Sequence, residues 1–129
     1  MSEIFNIEII SPSQTLLKSE VNQVAIPAFE GSMTILKDHI PIVTFLRPGL
    51  IEIESKQKNE KFFVEEGTVE FSKNNLLILS STAVNLKEIS EEYKENIIKS
   101  SKEEFNKSDK TDKEKYVLSY KIETLNTIK

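Results

Sequence analysis

The stretch PAFEGSMTILKDHIPIVTFLRPG, residues 27–49, decides how this chain folds. It holds the only His and the only Arg of the sequence, with two of its three Gly and three of its four Pro. Such a concentration is either a reaction centre or a set of corners. Gly and Pro are the residues that turn a chain, and short apolar runs flank the stretch on both sides, so corners are the better reading. Phe5, Ile7 and Ile9 alternate with Asn6 and Glu8, Val24 and Ile26 flank Ala25, and Ile51 and Ile53 alternate with Glu52 and Glu54. KFFVEE and TVEF stand on either side of Gly67, and Lys73, Asn74 and Asn75 precede the run LLILS. Asn tolerates the left-handed backbone that a tight hairpin needs, so a turn is expected there. This period-2 pattern predicts eight to ten short strands at the spacing of a β-sandwich.

Past about Leu86 the period changes, and none of the Gly or Pro lies beyond residue 67. Ile89, Tyr93, Ile97 and Phe105 recur at multiples of four, one stripe of a helix. Ser90 is placed as its N-cap, with Glu91 and Glu92 beside the positive end of the helix dipole. After the polar run NKSDKTD, Thr111 and Glu114 match a capping box, and Val117, Leu118, Ile122, Leu125 and Ile128 form a second stripe. The chain is therefore divided into a β-sandwich domain of about ten strands over residues 1–86 and an antiparallel α-helical hairpin over residues 87–129. Each helix is marginal alone and needs the other, the sandwich or a partner.

Composition narrows the function classes. With 129 residues and 38% hydrophobic content, the chain can bury one sizeable core, or a core and a small satellite. A net charge of −4 without clustered Lys and Arg speaks against nucleic acid. The absence of Cys excludes disulfides, thiolate nucleophiles and Cys-based zinc sites. The start MSEIFNIEII lacks a basic region and carries Glu3 and Glu8, a poor export signal. No apolar run approaches the roughly 18 residues needed to span a bilayer, so membrane contact is expected only through partners.

The inventory for catalysis is thin. His39 adjoins Asp38, but neighbours in a strand point to opposite faces and seldom meet in a turn. Glu65 and Glu66 read as a solvated strand end entering the Gly67 turn. A Gly-x-Ser-x-Gly elbow, a phosphate loop and a metal-ligand cluster are all missing from the sequence. The chain is expected to be non-catalytic and to carry neither cofactor nor metal.

Read as an ordered set, residues 27–49 resemble the best-marked stretch of the epsilon-subunit family of bacterial F-type ATP synthases, equivalent to the mitochondrial delta subunit. The matching features are Pro27, the pair Glu30-Gly31, the run Met33-Thr34-Ile35-Leu36, His39-Ile40-Pro41, and Leu46-Arg47-Pro48-Gly49. The likeness extends outward over roughly the first 86 residues, through the Ser11-Pro12 turn on one side and the KFFVEEGTVEF hairpin on the other. It implies a non-catalytic rotor part at the foot of the central stalk of the enzyme. In the family, the sandwich binds the gamma subunit and rests on the polar loops of the c ring, so that ion-driven ring rotation turns the gamma shaft. The hairpin can fold against the sandwich or extend toward the alpha/beta head and restrain hydrolysis. By this resemblance Glu30, Gly31, Ser32 and Asp38 meet the c ring and His39 meets gamma or the stalk. The protein would then lie peripherally on the cytoplasmic face of the bacterial inner membrane.

Three departures stand out. Glu66 replaces the first glycine of a family Gly-Gly pair, which puts the local backbone in question, since Glu disfavours positive φ. Thr34 replaces a usual glycine. The ATP motif of some members, Ile/Leu-Asp-x-x-Arg-Ala, is degraded here to Ile89-Ser90-Glu91-Glu92-Tyr93-Lys94, so nucleotide binding is not expected. The competing class is a free-standing β-sandwich module that binds protein or carbohydrate. It would need an exposed aromatic platform, whereas the Phe positions suit a core.

Overall fold

The computed structural model describes residues 3–107 and 109–128. Met1, Ser2 and Lys129, at the outer ends of the two predicted domains, and Ser108 in the predicted polar turn lie outside the described residues. The strands are β1 (Phe5–Ile10), β2 (Thr15–Val21), β3 (Gln23–Ala28), β4 (Gly31–Ile35), β5 (Ile42–Leu46), β6 (Gly49–Glu54), β7 (Asn59–Val64), β8 (Gly67–Ser72), β9 (Asn75–Leu79) and β10 (Val84–Asn85). A single 3-10 turn, Leu86–Glu88, leads to helices α1 (Glu91–Phe105) and α2 (Asp112–Thr127).

The ten strands form one sheet in the order β10-β7-β6-β3-β5-β8-β9-β1-β2, with β4 added on the other edge of β3. All neighbours are antiparallel except β1 and β9. The sheet curls into a sandwich at β3, which pairs with β6 through Gln23–Ala25 and with β5 only at Ala28. The alternation read from sequence is realised: Phe5, Ile7, Ile9, Val24, Ile26, Ile51 and Ile53 all point into one cluster with Phe62, Phe71, Leu76 and Ile78. Phe5 meets Phe71 edge-on at 5.6 Å, an arrangement favoured by the ring quadrupoles. The expected β8–β9 turn is also present, with Lys73 at φ 50° and Asn74 at φ 59°, both central residues left-handed as a primed turn demands.

A satellite lies outside that core. Phe63 and Leu125 are fully buried yet belong to neither face of the sandwich interior. Phe62 and Val64 point inward, so Phe63 points outward, and the chain segment after β10 and helix α2 cover that side. The helices themselves are only half sunk. Ser101 and Leu125 are the only buried residues among their described positions.

Local chemistry fixes the hairpin. Ser90 accepts from the Tyr93 amide, and Thr111 and Glu114 form the reciprocal capping box. Near the turn, Glu104 receives Lys107 at 2.8 Å and Lys110 at 2.7 Å, and Lys110 also reaches Glu114 at 3.4 Å. Hydrogen bonds from Lys107 and then Lys110, reinforced by their charges, hold the Glu104 carboxyl down at about 2.

Gly67 is required for space rather than conformation. A Cβ there would sit 2.8 Å from the Leu79 carbonyl oxygen, 3.1 Å from Leu46 Cδ1 and 3.2 Å from Ser80 Cβ. Gly67→Ala is therefore expected to cost about 1–3 kcal/mol by overpacking, measured as a fall in the urea midpoint without a change in slope. An unchanged midpoint would show that β8 and β9 can separate freely at this end.

Candidate functional site

The predicted contact residues divide between the two ends of β4. Glu30 forms the β3–β4 turn with Phe29, and Gly31 and Ser32 open β4. Gly31 has φ +133° and open space where a Cβ would stand, so glycine serves backbone conformation there. Both Glu30 carboxylate oxygens accept from the Thr44 hydroxyl at 2.6 Å. Thr44 is an inward-facing polar side chain of β5, and this bond satisfies it. Asp38 and His39 lie past the other end of the strand, about 17 Å of extended chain away. Residues 30–38 are thus a strand with a turn at each end rather than one loop.

At the far end Asp38 has left-handed backbone, with φ 66°. Its amide donates to Asn74 Oδ1 at 2.7 Å, and Asn74 Nδ2 donates to its carboxylate at 2.9 Å. The His39 Nδ1–H donates to the Ile40 carbonyl at 2.7 Å, and the ring stands edge-on to Phe71 at 5.9 Å. The two neighbours are engaged separately and make no acid–base dyad. Glu65 and Glu66 part company in the same way. Glu65 pairs with Lys121 of α2 at 2.7 Å, while Glu66 accepts from the Ser81 amide at 3.2 Å and hydroxyl at 2.7 Å. Glu66 has ordinary backbone, so its substitution for glycine does not strain the chain.

The four positions of the degraded nucleotide motif all have structural employment. Ile89 ends the 3-10 turn and Ser90 caps α1. Lys94 donates to the Ile128 carbonyl at 2.9 Å and pairs with Glu91 at 3.2 Å. Burial, then the charge of Glu65, pushes the Tyr93 phenol above its usual range.

One surface escaped the sequence reading. On β5, Val43 is 75% and Phe45 60% exposed, and Leu79 of β9 is 44% exposed. The register aligns Phe45 with Thr68 and Leu79, and Val43 with Glu70 and Leu77, so these side chains share the outer face of β5, β8 and β9. Ile10 of β1 extends the first row beside Leu79, next to an open cleft of about 480 Å³ lined also by Pro12, Ser80 and Ser81. Leu36 and Ile40, 50% and 72% exposed, flank Asp38 and His39. The expectation that Phe side chains serve the core holds for Phe5, Phe62 and Phe71; Phe63 is buried in the satellite instead, and Phe45 is exposed. The signal was present: in IVTFL both parities of the strand are apolar except for Thr44, which points inward.

The hairpin occupies the opposite side. Tyr116 stacks on Phe29 at 6.3 Å and meets Tyr120 at 4.7 Å, and the Arg47 guanidinium lies 4.0 Å from the centre of the Tyr120 ring. With the Lys121–Glu65 pair, these contacts dock α2 beside β6 and the corner of residues 27–49. Among the described residues no group of three acidic or imidazole side chains could hold a metal ion, and no helix is long and apolar enough to cross a membrane.

Comparison with known proteins agrees with this geometry. The family model described as ATP synthase, Delta/Epsilon chain, beta-sandwich domain matches residues 4–86. An ATP synthase epsilon chain of Pelagibacter ubique is 45% identical over 129 residues, 99% of each chain. That of Sinorhizobium medicae is 33% identical over 105 residues, covering 81% of this chain and 78% of its own. The fold matches a chain in the mitochondrial ATP synthase of Euglena gracilis, an OSCP/F1/c-ring structure, with TM-score 0.76 at 19% identity, covering 98% of this chain and 79% of that one. It also matches a chain in the central stalk/c-ring structure of Tetrahymena thermophila, with TM-score 0.64 at 16% identity, covering 94% and 92%.

With Ser90, Glu91 and Lys94 committed to capping and pairing, the full-length chain should bind ATP no more tightly than about 1 mM. Isothermal titration calorimetry should give no saturating heat below that range. A micromolar isotherm would mean that the helices rearrange to build a site.

Proposed function

The chain belongs to the delta/epsilon family of ATP synthase subunits, and from that premise we propose that it is the non-catalytic central-stalk subunit that couples c-ring rotation to the gamma shaft. The observation that carries this is the set of exposed apolar side chains that β5 and β9 place on the outer face of the sandwich. Val43, Phe45 and Leu79 stand in water on a well-packed sandwich, while the hairpin covers the other side. An exposed patch of this kind marks a protein interface. Val43, Phe45 and Leu79 are interleaved with Thr68 and Glu70 of β8, and a mixed surface with a single aromatic ring suits a protein partner better than a sugar. Gamma takes this face, with His39 at its edge. Asp38 stands apart from the Glu30 turn, past the far end of β4, and acts on the gamma side only by holding the loop that bears His39. The turn Glu30, Gly31 and Ser32 is left to meet the polar loops of the c ring. Residues 1–86 form the rotor-binding domain and residues 87–129 the hairpin. The protein reaches the cytoplasmic face of the bacterial inner membrane only through these partners.

Torque transmission explains the division of labour. A coupling body must resist shear, and a sandwich with a dry core of interlocked Ile, Val, Leu and Phe does so. The hairpin is held by partly exposed ion pairs and ring contacts, which contribute little individually. It is suited to leave the sandwich and reach the alpha/beta head, where it restrains hydrolysis.

Phe45→Asp should weaken binding of the full chain to an alpha3-beta3-gamma complex by about 30-fold or more, the loss of one aromatic anchor. Glu30→Gln keeps the acceptor for Thr44 and removes the charge. It should loosen attachment to ring-containing membranes, read as release at lower salt than wild type. Unchanged affinity for Phe45→Asp would remove gamma from this face. Truncation after Leu86 should raise the ATPase rate of the assembled enzyme; an unchanged rate would make the hairpin structural only.

A further inference from the structure

Among the described residues, every non-glycine side chain on left-handed backbone meets at one end of the sandwich: Asp38, Lys73 and Asn74. Lys73 and Asn74 are accounted for by the tight β8–β9 hairpin. Asp38 is the third residue of a separate turn, residues 36–39, where left-handed backbone is also expected. That turn is in addition held from outside, by the Asn74 side-chain amide, across 36 residues of sequence. The pair is reciprocal: Asn74 Oδ1 takes the Asp38 amide proton and Asn74 Nδ2 gives one to the Asp38 carboxylate. A second tie, from the His39 amide to the Leu36 carbonyl at 3.1 Å, closes the loop, and the His39 ring rests on Phe71 of the core. Besides the charged Lys37 and Asp38, this doubly held loop presents two apolar side chains. Leu36 and Ile40 stand exposed on either side of Asp38, and Ile40 leads into β5 with its exposed Val43 and Phe45. Backbone held in an unfavourable region by its surroundings is a mark of pre-organisation, and a fixed loop loses less freedom on binding than a mobile one.

We propose that Asp38 and Asn74 form a positioning clasp that fixes Leu36 and Ile40 as ready-made anchors for the gamma shaft, extending the Val43–Phe45 face to the end of the sandwich. This rests on the reading of that face as the gamma site. Neither clasp residue contacts the shaft; both act through the loop.

The test uses the full chain and the alpha3-beta3-gamma complex. Asn74→Gly keeps the left-handed turn and deletes both bonds of the clasp. It should lower affinity about 10-fold while hydrogen exchange at residues 36–40 accelerates and the melting temperature of the sandwich changes little. The exchange of roles, Asp38→Asn with Asn74→Asp, rebuilds an amide facing a carboxylate and should restore affinity to within about 3-fold of wild type. Should Asn74→Gly fold poorly, the exchanged pair and Asn74→Asp alone, which opposes two carboxylates, give the same comparison. Faster exchange or a lower melting temperature with unchanged affinity would overturn the proposal and leave the clasp a stabilising contact. Failure of the exchanged pair to recover affinity would overturn it too. Phe45→Asp separates the two levels. If it has no effect, the gamma reading itself is wrong; if it weakens binding while Asn74→Gly does not, only the clasp falls.

Discussion

The close approach of Gly49 to Pro27 is the contact on which the rest of the structure depends. A Cβ at Gly49 would lie 2.5 Å from Pro27 Cβ and 2.9 Å from Pro27 Cγ, and a proline ring has little room to yield. Here β3 stops pairing with β6 and reaches β5, so the approach sets how tightly one layer turns onto the other. The corner is laced by backbone bonds from the Arg47 amide to the Pro27 carbonyl and from the Phe29 amide to the Phe45 carbonyl, at 2.9 and 3.0 Å. Arg47 Nε adds a bond to the Ala28 carbonyl at 3.0 Å. Three surfaces leave from it: the Glu30 turn, the outward edge at Phe45, and the Arg47–Tyr120 seat of α2.

Much of this was legible in the sequence, and the reason is periodicity. In β1 and β6 apolar residues alternate with Asn or Glu, so the inward face announces itself. The Asn-bearing hairpin, the Ser90 cap and the Thr111 box are local devices whose partners lie within three or four residues. Sequence spacing therefore captures them. What it missed depends on neighbours far along the chain. Phe62 and Phe63 are adjacent and equally apolar, and only the cover supplied by the segment after β10 together with α2 explains why both are buried. IVTFL looks like a core strand throughout, and only the bare outer face shows that Val43 and Phe45 face water. The site was harder still. Nothing local to Asp38 names Asn74 as its partner, and nothing local to Glu30 names Thr44.

The two outer sides of the sandwich differ in kind, and the difference bears on mechanism. The hairpin side is closed by one buried Leu, aromatic rings in partial contact and ion pairs with water access. Such contacts hold a helix pair in place without committing it, since each contributes modestly and several must form together. The β5–β8–β9 side carries bulky apolar side chains on strands laddered to one another along their length, which cannot rearrange to hide them. Burying that face against a partner gains hydrophobic free energy with little ordering cost. The sandwich thus leaves Val43, Phe45 and Leu79 uncovered on one outer side and carries a lightly held helix pair on the other. His39 illustrates the same economy. Beside Asp38 it has the composition of a catalytic pair, yet its ring proton goes to Ile40 and its edge to Phe71, so it stiffens the rim of the fixed face instead of moving protons.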